Sequence, residues 1–118
     1  MNDMERRRWV AAWFDTWNAH DLERILSHYA EDVEMVSPMI QKIMQEPSGR
    51  LRGKATLRAY WGAALARVPN LHFEPLSACW GLGSVVLCYK GVAGRTVAEV
   101  LELDPTGLVC RAHAHYAD

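Results

Sequence analysis

One carboxylate, Glu99, sits inside an otherwise apolar alternation. From Gly94 to Tyr116 the chain carries two period-two runs joined by Asp104-Pro105-Thr106-Gly107, the pattern of a β-hairpin closed by turn-forming residues. If Asp104 faces Gly107, then Leu103 pairs with Leu108, Leu101 with Cys110, Glu99 with Ala112 and Val97 with Ala114. One face then holds Val97, Leu101, Cys110, Ala112, Ala114 and Tyr116, with Glu99 among them. Glu102, Arg111, His113 and His115 share the other. A carboxylate facing an apolar cavity is penalised in its charged form, so its pKa is expected to rise toward neutrality. Such a group can give or take a proton, or donate a hydrogen bond while neutral. The competing reading is that Glu99 pairs with a nearby base or meets solvent at a rim.

The other candidate groups carry less. His113 and His115 are two residues apart on one strand, and zinc wants three or four ligands, so no metal is expected. A slip of one residue would put both histidines inside and Glu99 outside, because strand side chains alternate faces. His20, His28 and His72 lie near element ends and read as surface. Ser37 precedes Pro38 at a strand end and could hydrogen-bond a ligand, but no nucleophile-elbow spacing surrounds it. Gly81 and Gly83 precede a strand rather than a helix, so they make no phosphate cradle. No cofactor is expected.

The elements that must position these residues are legible from periodicity. Trp9, Trp13 and Trp17 recur every fourth residue and predict a first helix over about 4–17. Leu22, Ile25, Leu26 and Tyr29 predict a second. Asp32–Ser37 reads as a short strand stopped by Pro38. The stretch 39–52 reads as a long, apolar loop, either a lid over a site or a surface excursion with one helical turn. Leu57, Tyr60, Trp61, Ala64 and Leu65 mark a third helix over 54–68. Strands follow over about 71–80, 85–90, 95–103 and 108–116. Helices gathered early and adjacent strands late indicate an α+β fold, three helices packed on a curved, mostly antiparallel sheet that encloses a conical pocket. With 118 residues and no linker or repeat, residues 1–118 are expected to form one domain.

Composition narrows the partners. Half the residues are hydrophobic and the net charge is −1, without the clustered cations that nucleic acid or an anionic membrane requires. No apolar run approaches the length of a membrane span. Cys79, Cys88 and Cys110 are odd in number and lack C-x-x-C spacing, which fits a reduced, cytoplasmic setting.

The order of elements, with Trp17-Asn18-Ala19-His20-Asp21-Leu22, Tyr29 to Pro38 and Leu51 to Trp61, resembles the nuclear transport factor 2-like superfamily. The polyketide-cyclase-like (SnoaL-like) and ketosteroid-isomerase-like branches are the most similar. The resemblance covers nearly the whole chain and implies a cystatin-like roll around a pocket. Set against ketosteroid isomerases, the general base falls at Ser37, which cannot serve as one. The oxyanion-stabilising tyrosine of the first helix falls at Trp13, a supporting tyrosine of the third helix at Trp61, and the second acidic residue at Glu99. Steroid isomerisation by that family's mechanism is thus not expected. The resemblance implies a pocket for a hydrophobic small molecule, lined by Trp13, Met35, Ser37, Trp61, Cys110, Ala112 and Tyr116. Glu99 would be the acid/base of a cofactor-free isomerase, dehydratase or cyclase. The alternative is a non-catalytic ligand-binding or dimerisation domain with a vestigial site. In either case a homodimer is expected through the sheet's outer face.

Overall fold

The computed structural model describes residues Met1–Asp118. Helix α1 (Asp3–Asn18) begins in a reciprocal cap: the Asn2 side chain accepts from the Glu5 amide at 2.8 Å, and the Glu5 carboxylate accepts from the Asn2 amide at 3.1 Å. That exchange satisfies two amides which a helix start otherwise leaves unpaired. Helix α2 (Leu22–Leu26) is capped by Asp21, and α4 (Lys54–Arg67) follows Gly53. Between them lie strand β1 (Tyr29–Val36), helix α3 (Pro38–Ile43) and strand β2 (Arg50–Arg52). Strands β3 (Glu74–Gly81), β4 (Ser84–Lys90), β5 (Thr96–Leu103) and β6 (Val109–Tyr116) complete the chain, with a single 3₁₀ turn at Val92–Gly94 before β5.

The six strands form one sheet in the order β2-β1-β6-β5-β4-β3. Every neighbouring pair is antiparallel except β1 and β6, which run parallel. The helices cover one face, giving the α+β architecture expected. The core lies between the layers, where Trp13, Ile25, Leu57, Leu87 and Leu101 are almost fully excluded from solvent. No helix is long and apolar enough to cross a membrane.

Two segments differ from the sequence reading. Tyr29 belongs to β1, not to the second helix. The Ser27 hydroxyl folds back onto the Arg24 carbonyl at 2.6 Å as α2 ends, and the Val109 amide takes the His28 carbonyl at 2.8 Å. Pairing with β6 thus claims residues that helical spacing alone would keep in the helix. The stretch 39–52 is not an open loop. Pro38 sits at the start of α3, where its missing amide costs nothing, so the helix count is four rather than three. The chain then returns through Gly49, at φ +66°, so that Arg50–Arg52 pairs with β1.

The final hairpin sets the faces. The Asp104 carboxylate accepts from the Thr106 and Leu108 amides and the Thr106 hydroxyl, and Gly107 turns the chain at φ +88°. Asp104 therefore faces Leu108 (amide to carbonyl, 2.8 Å), and Leu103 pairs with Val109 rather than with Leu108. A bulge between Glu102 and Leu103 adds one more residue of offset. Two single-residue offsets restore the alternation: Leu101 faces Ala112, Glu99 faces Ala114 and Val97 faces Tyr116. Every side chain beyond the bulge thus keeps the face it would have had without either offset.

Candidate functional site

Glu99 projects from the inner face of β5 into the layer between sheet and helices and is 4% exposed. Leu87 of β4 and Ala114 of β6 flank it across the sheet. Its carboxylate receives the Tyr89 hydroxyl at 2.6 Å, the short distance of a hydrogen bond to a carboxyl oxygen. Burial is the larger influence and pushes its pKa up to about 7. The Tyr89 hydrogen bond, and then the His115 imidazole across the sheet, pull it down. Near pH 7 this group exists in both protonation states, the condition under which a side chain can both donate and accept a proton.

The carboxylate lines an apolar cavity of about 70 Å³. Trp17 from α1, Tyr60 and Trp61 from α4, Phe73, Met35 and Val97 form its walls. Met39 and Ile43 of α3, Val68 and Val92 stand at its more exposed end. Among its lining residues Glu99 is the sole carboxylate. Two larger grooves, of about 750 and 610 Å³, flank α1. Both are open to the surface, and neither contains a buried ionisable group, so the chemistry points to the small enclosed space.

Four phenols surround this carboxylate at different depths. Burial raises the pKa of Tyr29, Tyr60, Tyr89 and Tyr116, and the proximity of Glu99 adds to each. All four are therefore neutral hydroxyls at physiological pH, able to donate hydrogen bonds. The Ser37 hydroxyl accepts from the Met39 amide at 3.2 Å and caps α3, while lying close enough to Tyr60 and Tyr116 to oppose the effect of their burial.

The residues singled out from the sequence divide accordingly. Met35, Trp61, Glu99 and Tyr116 line the cavity. Trp13 does not. It is 1% exposed, stacks on Phe73 at 6.0 Å and donates its indole hydrogen to Tyr29 at 3.0 Å, so it is core beneath the cavity wall. Ser37 is buried as a helix cap behind the phenols rather than as a wall residue. Ala112 is buried beneath Leu101 and Met35, one layer from the space. Cys110 is the clearest correction: it is the extra residue of the bulge, turned toward the Glu102 carbonyl at 3.4 Å, and Val109 takes the inner position.

Tyr89, Tyr60 and Trp17 were absent from the sequence-based site. Tyr89 had a usable signal, because it shares a face with Leu87 and pairs with Val97 next to Glu99. Trp17 had only its place in a tryptophan stripe whose usual role is core. His113 and His115 stand on the outer face, ring to ring at 4.4 Å, with Arg111 beside them. On that face Glu34 receives Arg50, Arg52 and Arg111 at 3.4–3.6 Å. No cluster of His, Cys, Asp or Glu suited to a metal ion occurs.

Comparison with known proteins gives these observations a frame. The sequence profile of the SnoaL-like domain matches residues 10–116. A crystal structure of a SnoaL-like protein of unknown function from Burkholderia thailandensis is similar at TM-score 0.94 and 48% identity, over 99% of this chain and 98% of that one. At 17% identity the chain is similar to TerC, crystallised with polyporic acid, with TM-score 0.76 over 93% of this chain and 89% of that one. At 18% identity it is similar to SalBIII, an epoxide hydrolase/cyclase-like enzyme in pyran ring formation in polyether salinomycin. The TM-score there is 0.74, over 98% of this chain and 93% of that one. The last two likenesses speak for the fold alone. No curated protein matches the chain.

Proposed function

Because the chain belongs to the SnoaL-like domain family, we propose that its cavity takes a small hydrophobic, cyclic compound and that Glu99 moves a proton on it. The observation that carries this reading is a single buried carboxylate, poised near pH 7 and held by Tyr89, on the wall of an otherwise apolar space. Isomerisation, dehydration and ring closure all need a proton taken at one atom and returned at another, and a group half-protonated at working pH can do both. Such reactions also suit a site whose remaining donors are neutral phenols. The cyclase-like enzyme and the polyporic-acid complex among the fold's relatives support a ring-bearing ligand. Domain organisation follows the same reading: one unit spanning residues 1–118.

Size limits the ligand. An engineered cavity of about 150 Å³ accepts benzene, and 70 Å³ is less than half of that. A polyketide-sized ring would need Met39, Ile43 and Val92 to move aside at the open end. A reading as a binding domain without catalysis draws on this tightness and on Ser37, which caps a helix where a general base would be needed.

The two readings separate by deuterium incorporation next to the carbonyl of small cyclic ketones, followed by proton NMR in D₂O. Catalysis predicts exchange above the buffer rate for the parent protein and a loss of about a hundredfold or more in Glu99→Gln, with the circular-dichroism spectrum unchanged. Equal rates in the two proteins would leave only the binding reading.

The outer face of the sheet fits a second copy of the chain. Val86, Cys88, Ala98 and Val100 make a half-buried centre of small side chains, and Glu34, Arg50, Arg52 and Arg111 surround it with charge, the layout of an apolar core with a polar rim. Val100→Arg is expected to halve the mass measured by light scattering, from a dimer to the 13.4 kDa of one chain. A parent protein that already runs at one chain's mass would remove this part of the proposal.

A further inference from the structure

The cavity wall contains a hydrogen-bond donor with nothing to bind. Trp17 is 6% exposed and lines the cavity, and its indole nitrogen is the one buried side-chain polar atom in the structure without a hydrogen-bond partner. Its neighbour Trp13 differs in this respect, giving its indole hydrogen to the Tyr29 hydroxyl at 3.0 Å. Trp17 stands close to the same oxygen, but without the geometry of a bond, and that oxygen is already engaged by Trp13. The Tyr29 hydroxyl in turn has no acceptor for its own proton. Two unspent donors, the Trp17 N–H and the Tyr29 O–H, thus lie together at the inner end of the space, and Glu99 is engaged by Tyr89 elsewhere on its wall.

A buried donor left unpaired costs roughly 1–3 kcal/mol, and native interiors rarely tolerate one without a reason. A ligand oxygen at this point would remove that cost and would be fixed in direction by it. We propose that Trp17 is the residue that recognises and orients the ligand, by donating its indole hydrogen to an acceptor oxygen, so that the cavity selects a compact ring bearing a carbonyl or ether oxygen over the bare hydrocarbon. This rests on the cavity being a ligand site, as proposed above. It adds the polarity of the ligand and its orientation: oxygen toward Trp17, the ring against Trp61 and Val97, and the reacting hydrogen toward Glu99. An isostere without the oxygen fills the same space yet leaves the donor unpaired, the kind of loss that makes polar sites discriminate strongly.

The test compares cyclobutanone with methylenecyclobutane, which have the same shape and differ in the oxygen. The full chain is labelled with ¹⁵N-tryptophan, and the five indole resonances are followed as each probe is added. Nuclear Overhauser contacts to Phe73 and Trp61, which lie at ring-centroid distances of 5.4 and 5.2 Å, assign Trp17 without a variant. The ketone is expected to move the Trp17 indole proton downfield, and the hydrocarbon to shift the Val97 methyls while leaving that proton in place. In Trp17→Phe the ketone should bind about tenfold more weakly, equivalent to about 1.4 kcal/mol, with hydrocarbon affinity unchanged. A Trp17 signal unmoved by ketone while the Val97 methyls respond would overturn the role of Trp17 and leave the cavity as a ligand site. If neither probe moves either signal, both proposals fall. The wild-type titration decides even if the phenylalanine variant does not fold.

Discussion

Glu99→Gln is expected to be more stable than the parent protein at pH 8 by about 3 kcal/mol, and to gain nothing at pH 4. Burial lifts the carboxyl from its ordinary 4.5 to about 7 in the folded chain. Below pH 4.5 the group is protonated whether the chain is folded or not, and its favourable contribution is complete. Between 4.5 and 7 the unfolded chain releases the proton while the folded chain holds it, so stability falls as pH rises. Above 7 the folded protein carries a buried charge and the contribution is gone. A rise of that size corresponds to about 3 kcal/mol over the interval. Glutamine keeps an oxygen for the Tyr89 hydroxyl and never ionises, so it escapes the penalty. Urea midpoints measured from pH 4 to pH 8 should slope downward for the parent relative to the variant. His28, whose pKa burial lowers, titrates in both proteins and cancels in the difference. Parallel curves would mean that Glu99 is solvated and the cavity reading is mistaken. A variant that is stabler and inactive is the usual mark of a site where function is kept at the expense of stability.

The second large effect lies one layer deeper. Trp13→Ala should cost roughly 3–5 kcal/mol, the range for removing a buried aromatic from a packed core. Trp13 is in ring contact with Phe14, Trp17, Phe73 and Tyr89, and its indole hydrogen is what the Tyr29 hydroxyl accepts. Domains of this size hold only about 5–15 kcal/mol in total, so thermal unfolding should begin near room temperature or the chain should not accumulate. Differential scanning calorimetry measures this directly. A loss under about 1 kcal/mol would mean that the tryptophan belongs to a flexible wall, not to the core.

The sequence carried the layers of the fold because its periodicities are long and clean. Tryptophans every fourth residue in α1, and strict alternation in β4, β5 and β6, leave few competing assignments. It missed where a short element is decided by its partners. Nothing local tells Tyr29 to leave a helical pattern for a strand; the waiting amide of Val109 does. Within the site, Glu99 stood out because a charge in an apolar alternation is visible by type. Trp17 and Tyr89 did not, because an aromatic residue in a core and one on a cavity wall look alike until the empty space is seen. Cys110 was misplaced for a different reason. Alternation places a residue only while the pairing is regular, and the bulge sits at that residue.

The order of strands has a consequence for how the chain is made. Strand β6 lies between β1 and β5, and its parallel pairing with β1 joins residues that are about eighty positions apart in the sequence. Until Val109–Tyr116 has left the ribosome, β1–β2 and β3–β4–β5 are two unconnected pieces of sheet, each with an open edge where β6 belongs. Pairings this distant form slowly, and exposed edges recruit strands from other chains. The nascent chain is therefore most exposed to aggregation just before its last strand emerges. A stalled product ending before Val109 should be found with chaperones or in the insoluble fraction, while one that includes Tyr116 can close the sheet.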